Sequence, residues 1–164
     1  MDYPSEQDEF IQQLQRNNRL IYKVCMTFTS RNPDDVRDLY QDIVCNLWEG
    51  RNKWRGSCTE STWHYRVALN TAISQWRRRR LRPVIVQLTP EMEQTIAEEC
   101  HNSLVSELYR RIDCLDKADK AVALLYLDGL SQTEMATILG INAAAVGMRI
   151  MRIKKKLQTI NTEA

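Results

Sequence analysis

The chain has 164 residues, with 23 Lys and Arg against 21 Asp and Glu for a formal net charge of +2, and is 43% hydrophobic and 27% charged. That is the balance of a globular protein with one ordinary domain or two small ones. No run approaches the ~18 apolar residues of a membrane span, the acidic start (Asp2, Glu6, Asp8, Glu9) has no apolar stretch behind it, and 5 Gly and 4 Pro are few for a turn-rich all-β fold, which excludes a membrane protein, a secreted mini-protein and a disordered tail.

Residues 6–30 carry Phe10, Leu14, Leu20, Ile21, Val24 and Phe28 at helical spacing and predict a helix. SRNPDD closes it and opens the next: Asn32 fits the N-cap, Pro33 the first helical position, and Asp34 and Asp35 the positive end of the helix dipole. That second helix runs through DVRDLYQDIVCNLWE to Gly50. Leu39, Ile43 and Leu47 form its apolar stripe, widened by Val36, Tyr40 and Val44, while Asp38, Gln41, Asp42 and Cys45 lie on another side. GRNKWRGSCTES (50–61) lacks periodicity and reads as a polar loop that gathers Lys53, Trp54 and Arg55.

TWHYRVALNTAISQWRRRR (62–80) predicts a third helix with Arg77, Arg78, Arg79 and Arg80 in its last turn, stopped by Pro83. PVIVQLTP fits a short strand or an extended linker. With no partner strand in the sequence, it reads together with the acidic EMEQTIAEE as a tether over 84–103. Helices resume near Leu104, with Leu104, Leu108, Ile112 and Leu115 in register, and KADKAVALLYLDG follows, ending at Gly129. The expected fold is all-α: two small helical domains, 1–83 and 104–164, joined by the acidic linker.

LSQTEMATILGINAAAVGMRIMRIKKKL (130–157) is the most informative stretch. Ser131 and Glu134 make a capping box, Met135, Ile138 and Leu139 point inward, Gly140 suits a left-handed helix end, and Asn142 caps the next helix. There Val146, Ile150, Ile153 and Leu157 form a buried stripe, with Arg149, Arg152 and Lys156 on another face. Two helices, a glycine turn and a basic second helix are what a DNA-reading helix-turn-helix requires. The competing reading is an αα-hairpin whose basic residues are merely solvated.

The near-neutral total hides two basic blocks, WRRRRLR (76–82) and RIMRIKKK (149–156), with an acidic block between them, which points to two polyanion contacts. In the first half, Trp54 between Lys53 and Arg55, Trp63, and the basic helix end supply the aromatic faces and cations of a single-strand site. Asn70 sits mid-helix, where its amide can donate to and accept from a base edge. Packing for Trp63 and a polar core contact for Asn70 are the alternatives. Five Cys (Cys25, Cys45, Cys58, Cys100, Cys114) are scattered without a CxxC pair, so reduced thiols are expected, with no metal and no cofactor.

Over about residues 10–158 the chain resembles bacterial RNA polymerase sigma factors of the extracytoplasmic-function (ECF) type. DDVRDLYQDIVCNLWEG resembles the region 2 helix that docks on core polymerase. KWRGSCTESTWHYRVALNTAISQWRRRR resembles the part of region 2 that melts and reads the minus-ten element, and LDGLSQTEMATILGINAAAVGMRIMRIKKKL resembles region 4, which reads the minus-35 element. The resemblance implies docking on the β′ clamp helices through Asp38, Gln41 and Asp42, with region 4 touching the β flap. It implies minus-ten contacts by Lys53, Trp54, Arg55, Gly56, Ser57, Trp63, Asn70 and Arg77 to Arg80. It implies minus-35 contacts by Ser131, Gln132, Asn142, Ala143, Val146, Arg149, Arg152 and Lys156.

It further implies a cytoplasmic chain, monomeric when free, without membrane insertion or catalysis, and controlled by an anti-sigma factor. The recognition helix departs from the family pattern. Ala145, Gly147 and Met148 stand where a Thr, a basic residue and a Ser are frequent, so readout is expected to lean on backbone, methyl contacts and Arg149/Arg152. A free-standing helix-turn-helix regulator, with residues 1–100 as a sensor or dimerisation domain, is the alternative function. No phosphate-cradling glycine loop, HExxH or nucleophile–base pair supports an enzyme.

Overall fold

The structure is a computed structural model that describes residues 5–74 and 103–160. Arg77 to Arg80, and the tether apart from Ser103, lie outside the described residues. The contacts divide the chain into two compact units, Met1–His101 and Asn102–Ala164. Among the described residues the regular structure is helical and no strand occurs.

The first unit contains α1 (Glu6–Phe28), α2 (Pro33–Gly50) and α3 (Glu60–Ser74), each packed on the other two, with a short 3-10 turn at Arg51–Lys53 after α2. Caps decide the helix starts. Ser5 Oγ accepts from the Asp8 N–H at 3.2 Å, and the Asp8 carboxylate accepts in return from the Ser5 N–H at 3.0 Å. Asn32 Oδ1 accepts from the Asp34 N–H at 2.9 Å, just ahead of Pro33. The third helix begins before the expected Thr62. Thr59 Oγ1 accepts from the Thr62 N–H at 3.2 Å, and its carbonyl accepts from the Trp63 N–H at 3.1 Å. The apolar pattern first registers at Trp63, so it cannot see the capping turn before it.

The core of this unit joins Leu14, Ile21 and Val24 of α1, Leu39, Ile43 and Leu47 of α2, and Ala68 and Leu69 of α3. Cys25 sits in it, and burial pushes its thiol pKa up, so it behaves as a small apolar residue. Two polar pairs bridge the helices: Tyr40 Oη donates to Asn18 Oδ1 at 2.9 Å, and Asn46 Nδ2 donates to Thr71 Oγ1 at 2.9 Å. Glu60 ties α3 to α1. It accepts from Arg16 Nη2 at 2.8 Å and from Asn17 Nδ2 at 2.7 Å.

The second unit contains α4 (Ser103–Ile112), α5 (Lys117–Leu127), α6 (Gln132–Leu139) and α7 (Ala143–Ile160). Asp116 Oδ1 caps α5 by accepting from the Asp119 N–H at 2.8 Å. Ser131 and Glu134 form the expected reciprocal box on α6. Gly140 ends α6 at φ 68°, a left-handed conformation that a β-carbon would strain. Asn142 Oδ1 then accepts from the Ala145 N–H at 2.7 Å and starts α7. Ile112, Val122, Leu125, Met135, Ile138, Val146, Ile150 and Ile153 fill the core. On α4, hydrogen bonds from Arg110 and Arg111 hold the Glu107 carboxyl down at about 2.

The Glu60 carboxyl titrates below its ordinary value, chiefly because Arg16 hydrogen-bonds its charged form. A depressed folded-state pKa contributes stability that is present above the unfolded value and lost as pH falls through the folded one. Glu60→Gln is therefore less stable than the native chain at pH 7, and the gap closes below the ordinary glutamate range. Urea midpoints measured at pH 7 and in stepwise acid check it. A gap independent of pH would show that the charge of Glu60 contributes nothing.

Candidate nucleic-acid interface

The core stripe of α2 sets which of its residues face outward. With Leu39, Ile43 and Leu47 enclosed, Asp38 and Asp42 stand exposed one turn apart, and Gln41 is half-buried between them. Asp35 and Glu49 are exposed on the same helix. The result is an acidic outer surface on a rigid element.

The loop between α2 and α3 is built on a pair of indoles. Trp54 stacks on Trp63 with ring centroids 5.8 Å apart and planes 18° from parallel. Its Nε1 donates to the Cys58 carbonyl at 3.0 Å, which closes residues 54–58 into a compact loop, with Gly56 at φ 73° making the bend. Lys53, Arg55, Gly56 and Ser57 project from this loop into solvent. Before the loop, the Arg51 guanidinium lies 3.7 Å from the centre of the Trp48 ring, and Trp48 in turn meets Phe10 edge-on.

One sequence expectation changes here. Trp63 was expected to offer an aromatic face, but it is buried beneath Trp54 and packs edge-on to His64, so it supports Trp54 and presents no open face. His64 is likewise enclosed. Burial lowers its pKa, and its Nδ1 lies 2.8 Å from the Glu60 carbonyl, a neutral packing residue donating to that oxygen. Asn70 is exposed on α3, and the interhelical polar contact is made instead by its neighbour Thr71.

In the second unit the expected minus-35 residues separate into groups. Val146 is fully enclosed and cannot touch a ligand, which corrects its place among the contacts. Ser131 and Asn142 use their side-chain oxygens as helix caps. Gln132 lies along α7: a β-carbon at Gly147 would stand 3.1 Å from its Oε1. A side chain there would have to displace the end of the exposed Gln132 side chain, and glycine inside a helix costs about 1 kcal/mol relative to alanine. Ala143 is half-buried, and Arg152 is exposed.

Arg149 and Lys156 are not simply solvated. Arg149 Nη1 lies 3.3 Å from Asp119 Oδ1, and Lys156 Nζ lies 3.0 Å from Asp119 Oδ2. The Asp119 side chain is only 3% exposed. Asp119 was missed in the sequence, where it reads as one more acid in the first turn of α5. The signal was its register: Val122 and Ala123, three and four residues on, belong to the buried face. Among the described residues no cluster of His, Cys, Asp or Glu could hold a metal ion, and no single helix is long and apolar enough to cross a membrane.

Comparison with known proteins decides the family. Residues 14–82 match sigma-70 region 2, and residues 106–157 match sigma-70 region 4. The chain belongs to the sigma-70 family, in its extracytoplasmic-function group. The ECF RNA polymerase sigma-E factor of Escherichia coli (strain K12) is 29% identical over 137 residues, covering 75% of this chain and 72% of the relative. The RNA polymerase sigma factor NccH of Alcaligenes xylosoxydans xylosoxydans is 24% identical over 166 aligned positions, covering 94% and 88%.

Two solved structures share the fold. CnrH, in complex with the cytosolic domain of CnrY, has a TM-score of 0.69 at 23% identity, covering 97% of this chain and 91% of that one. The sigma factor RpoE, in complex with the anti-sigma factor NepR from Bartonella quintana, has a TM-score of 0.70 at 18% identity, covering 94% and 97%. This sigma factor binds core RNA polymerase and promoter DNA and directs promoter-specific transcription initiation.

The Asp119 clamp yields a test. Asp119→Asn removes the anion but leaves two half-open cations that can turn to water. The second unit should lose about 1–2 kcal/mol, less than for a fully buried pair. Weak binding to duplex DNA should gain up to about two units of salt slope as the freed cations reach phosphates. Urea unfolding and anisotropy titrations across a salt series check both. An unchanged slope would mean that the two cations are already available to DNA.

Proposed function

We propose that the described surfaces divide the work of a sigma factor as follows. The outer face of α2, through Asp38, Gln41 and Asp42, docks on the β′ clamp helices of core polymerase. The loop carrying Lys53, Trp54, Arg55, Gly56 and Ser57 holds a base flipped from the minus-ten element, with Asn70 and Arg77 to Arg80 contacting the strand beyond. The domain 104–164 places α7 in the major groove of the minus-35 element and meets the β flap. Domain 1–83 and linker 84–103 complete the division.

The observation that carries this reading is the Trp54–Trp63 stack behind an exposed cationic loop, next to an acidic helix face. Unstacking a base costs a few kcal/mol, and an aromatic platform already fixed by packing and by the Cys58 carbonyl returns energy of that order. A sensor or dimerisation domain needs none of this. The protein works in the cytoplasm as a monomer when free, without catalysis or cofactor. RpoE was solved in complex with the anti-sigma factor NepR, and CnrH in complex with the cytosolic domain of CnrY, which supports control of this chain by an anti-sigma factor.

Gel filtration with bacterial core polymerase tests the division. The native chain should co-elute, and Asp38→Arg/Asp42→Arg should not, because two like-charge reversals on a docking face oppose association. Trp54→Ala should still co-elute yet form open complexes about tenfold more slowly or worse. No co-elution, together with tight binding to duplex DNA alone, would instead favour the free-standing regulator.

A further inference from the structure

Apart from Lys154, which lies over the Tyr126 ring, the side chains that α7 turns to solvent over residues 144–156 fall on two faces. One carries Arg149 and Lys156, both engaged by Asp119. The other, opposite the buried Val146, Ile150 and Ile153, carries Ala144, Met148 and Arg152 at successive turns, with Met151 and Lys155 beside them. Met148 is 68% exposed and Met151 is 73% exposed. Neither supports the core. Each is an apolar side chain set among the cations Arg152 and Lys155 on the helix that the reading above places in the groove.

Duplex DNA presents the complement of such a surface: anionic phosphate walls and, on the major-groove floor, base edges of which one kind is apolar. A thioether donates no hydrogen bond and accepts only weakly. The one base-edge feature it distinguishes is therefore the thymine 5-methyl group. Its three rotatable bonds let it settle on that methyl without fixed geometry. Met148 lies directly opposite the core stripe, so it projects furthest along the direction in which the helix enters the groove.

We propose that Met148, with Ala144 one turn before it, reads thymine in the minus-35 element by packing on its 5-methyl group. The proposal rests on α7 being the helix that reads that element.

The test uses holoenzyme reconstituted from bacterial core polymerase and the full chain, on a promoter found by run-off transcription of genomic fragments. Each minus-35 thymine, on either strand, is replaced singly by deoxyuridine, which removes the methyl group alone. Open-complex formation is measured below saturation. At one position or at neighbouring positions the uracil template should be slower by about fourfold, the effect of one buried methyl group. With Met148→Ala the thymine-to-uracil ratio should fall to about one, and with Met148→Leu it should persist.

Equal ratios for native chain and Met148→Ala at every thymine would overturn the proposal, as would a minus-35 element without thymine. Scrambling the whole element separates the two readings. If scrambling leaves initiation unchanged, α7 is not the reader and both fall. If scrambling stops initiation while every uracil is silent, only the methyl readout falls.

Discussion

A carboxylate taken wholly or partly out of water must be met by charge or hydrogen bonds, and each unit of this chain uses such a group, Asp119 enclosed and Glu60 half-buried, to join helices distant in sequence. Glu60, at the start of α3, takes Arg16 and Asn17 from α1. Asp119, in the first turn of α5, takes Arg149 and Lys156 from α7. Hydrophobic contact brings these helices together but is tolerant of sliding and rotation. A carboxylate with a partner on each oxygen tolerates neither. The pairing of Asp119 with Arg149 and Lys156 adds to the stripe beneath α7 in fixing which side chains that helix offers outward. On α3 the same kind of lock sits four residues before His64 and three before Trp63, at the start of the helix that carries the buried indole.

That placement explains how a polar loop can be ordered. Residues 54–58 contain glycine and serine and no apolar periodicity, so nothing in their own sequence holds a conformation. The order comes from outside the loop. Trp63 is packed by the core, Trp54 stacks on Trp63, and the Trp54 indole N–H fixes the far side through Cys58. A loop tied at both ends by one side chain leaves Lys53, Arg55 and Ser57 outward without using them structurally. The proposed base-holding surface is thus preorganised by a residue that was itself expected to touch the base.

Helix positions were legible because their signals are local. The capping box at Ser131 and Glu134, the left-handed Gly140 and the Asn32–Pro33 start stand where the sequence puts them. So do Val146, Ile150 and Ile153 of the buried stripe of α7, while Leu157 at its end is half-buried. What escaped was nonlocal. Trp63 reads equally well as a platform or as a plug until its stack with Trp54 is seen. Val146 fits both the core stripe and a list of family contacts, and burial alone assigns it. Asp119 pairs with residues 30 and 37 positions away, a relation that no window of helical periodicity contains.

The electrostatics of α7 follow from the same clamp. Five cations between residues 149 and 156 with no acid among them would bind any duplex through phosphate contacts. Asp119 pairs with two of them and so competes with phosphate for their charge, which lowers sequence-independent affinity relative to five unpaired cations. On the proposed division, low affinity is an advantage. Core polymerase holds both units near one promoter, and weak contacts at two elements joined through a common body act at high effective concentration. Strong phosphate binding by α7 alone would raise affinity for every duplex equally and so dilute the contribution of base edges. Restraining charge and exposing Met148 therefore act in the same direction: both shift the balance at this surface from phosphate toward base.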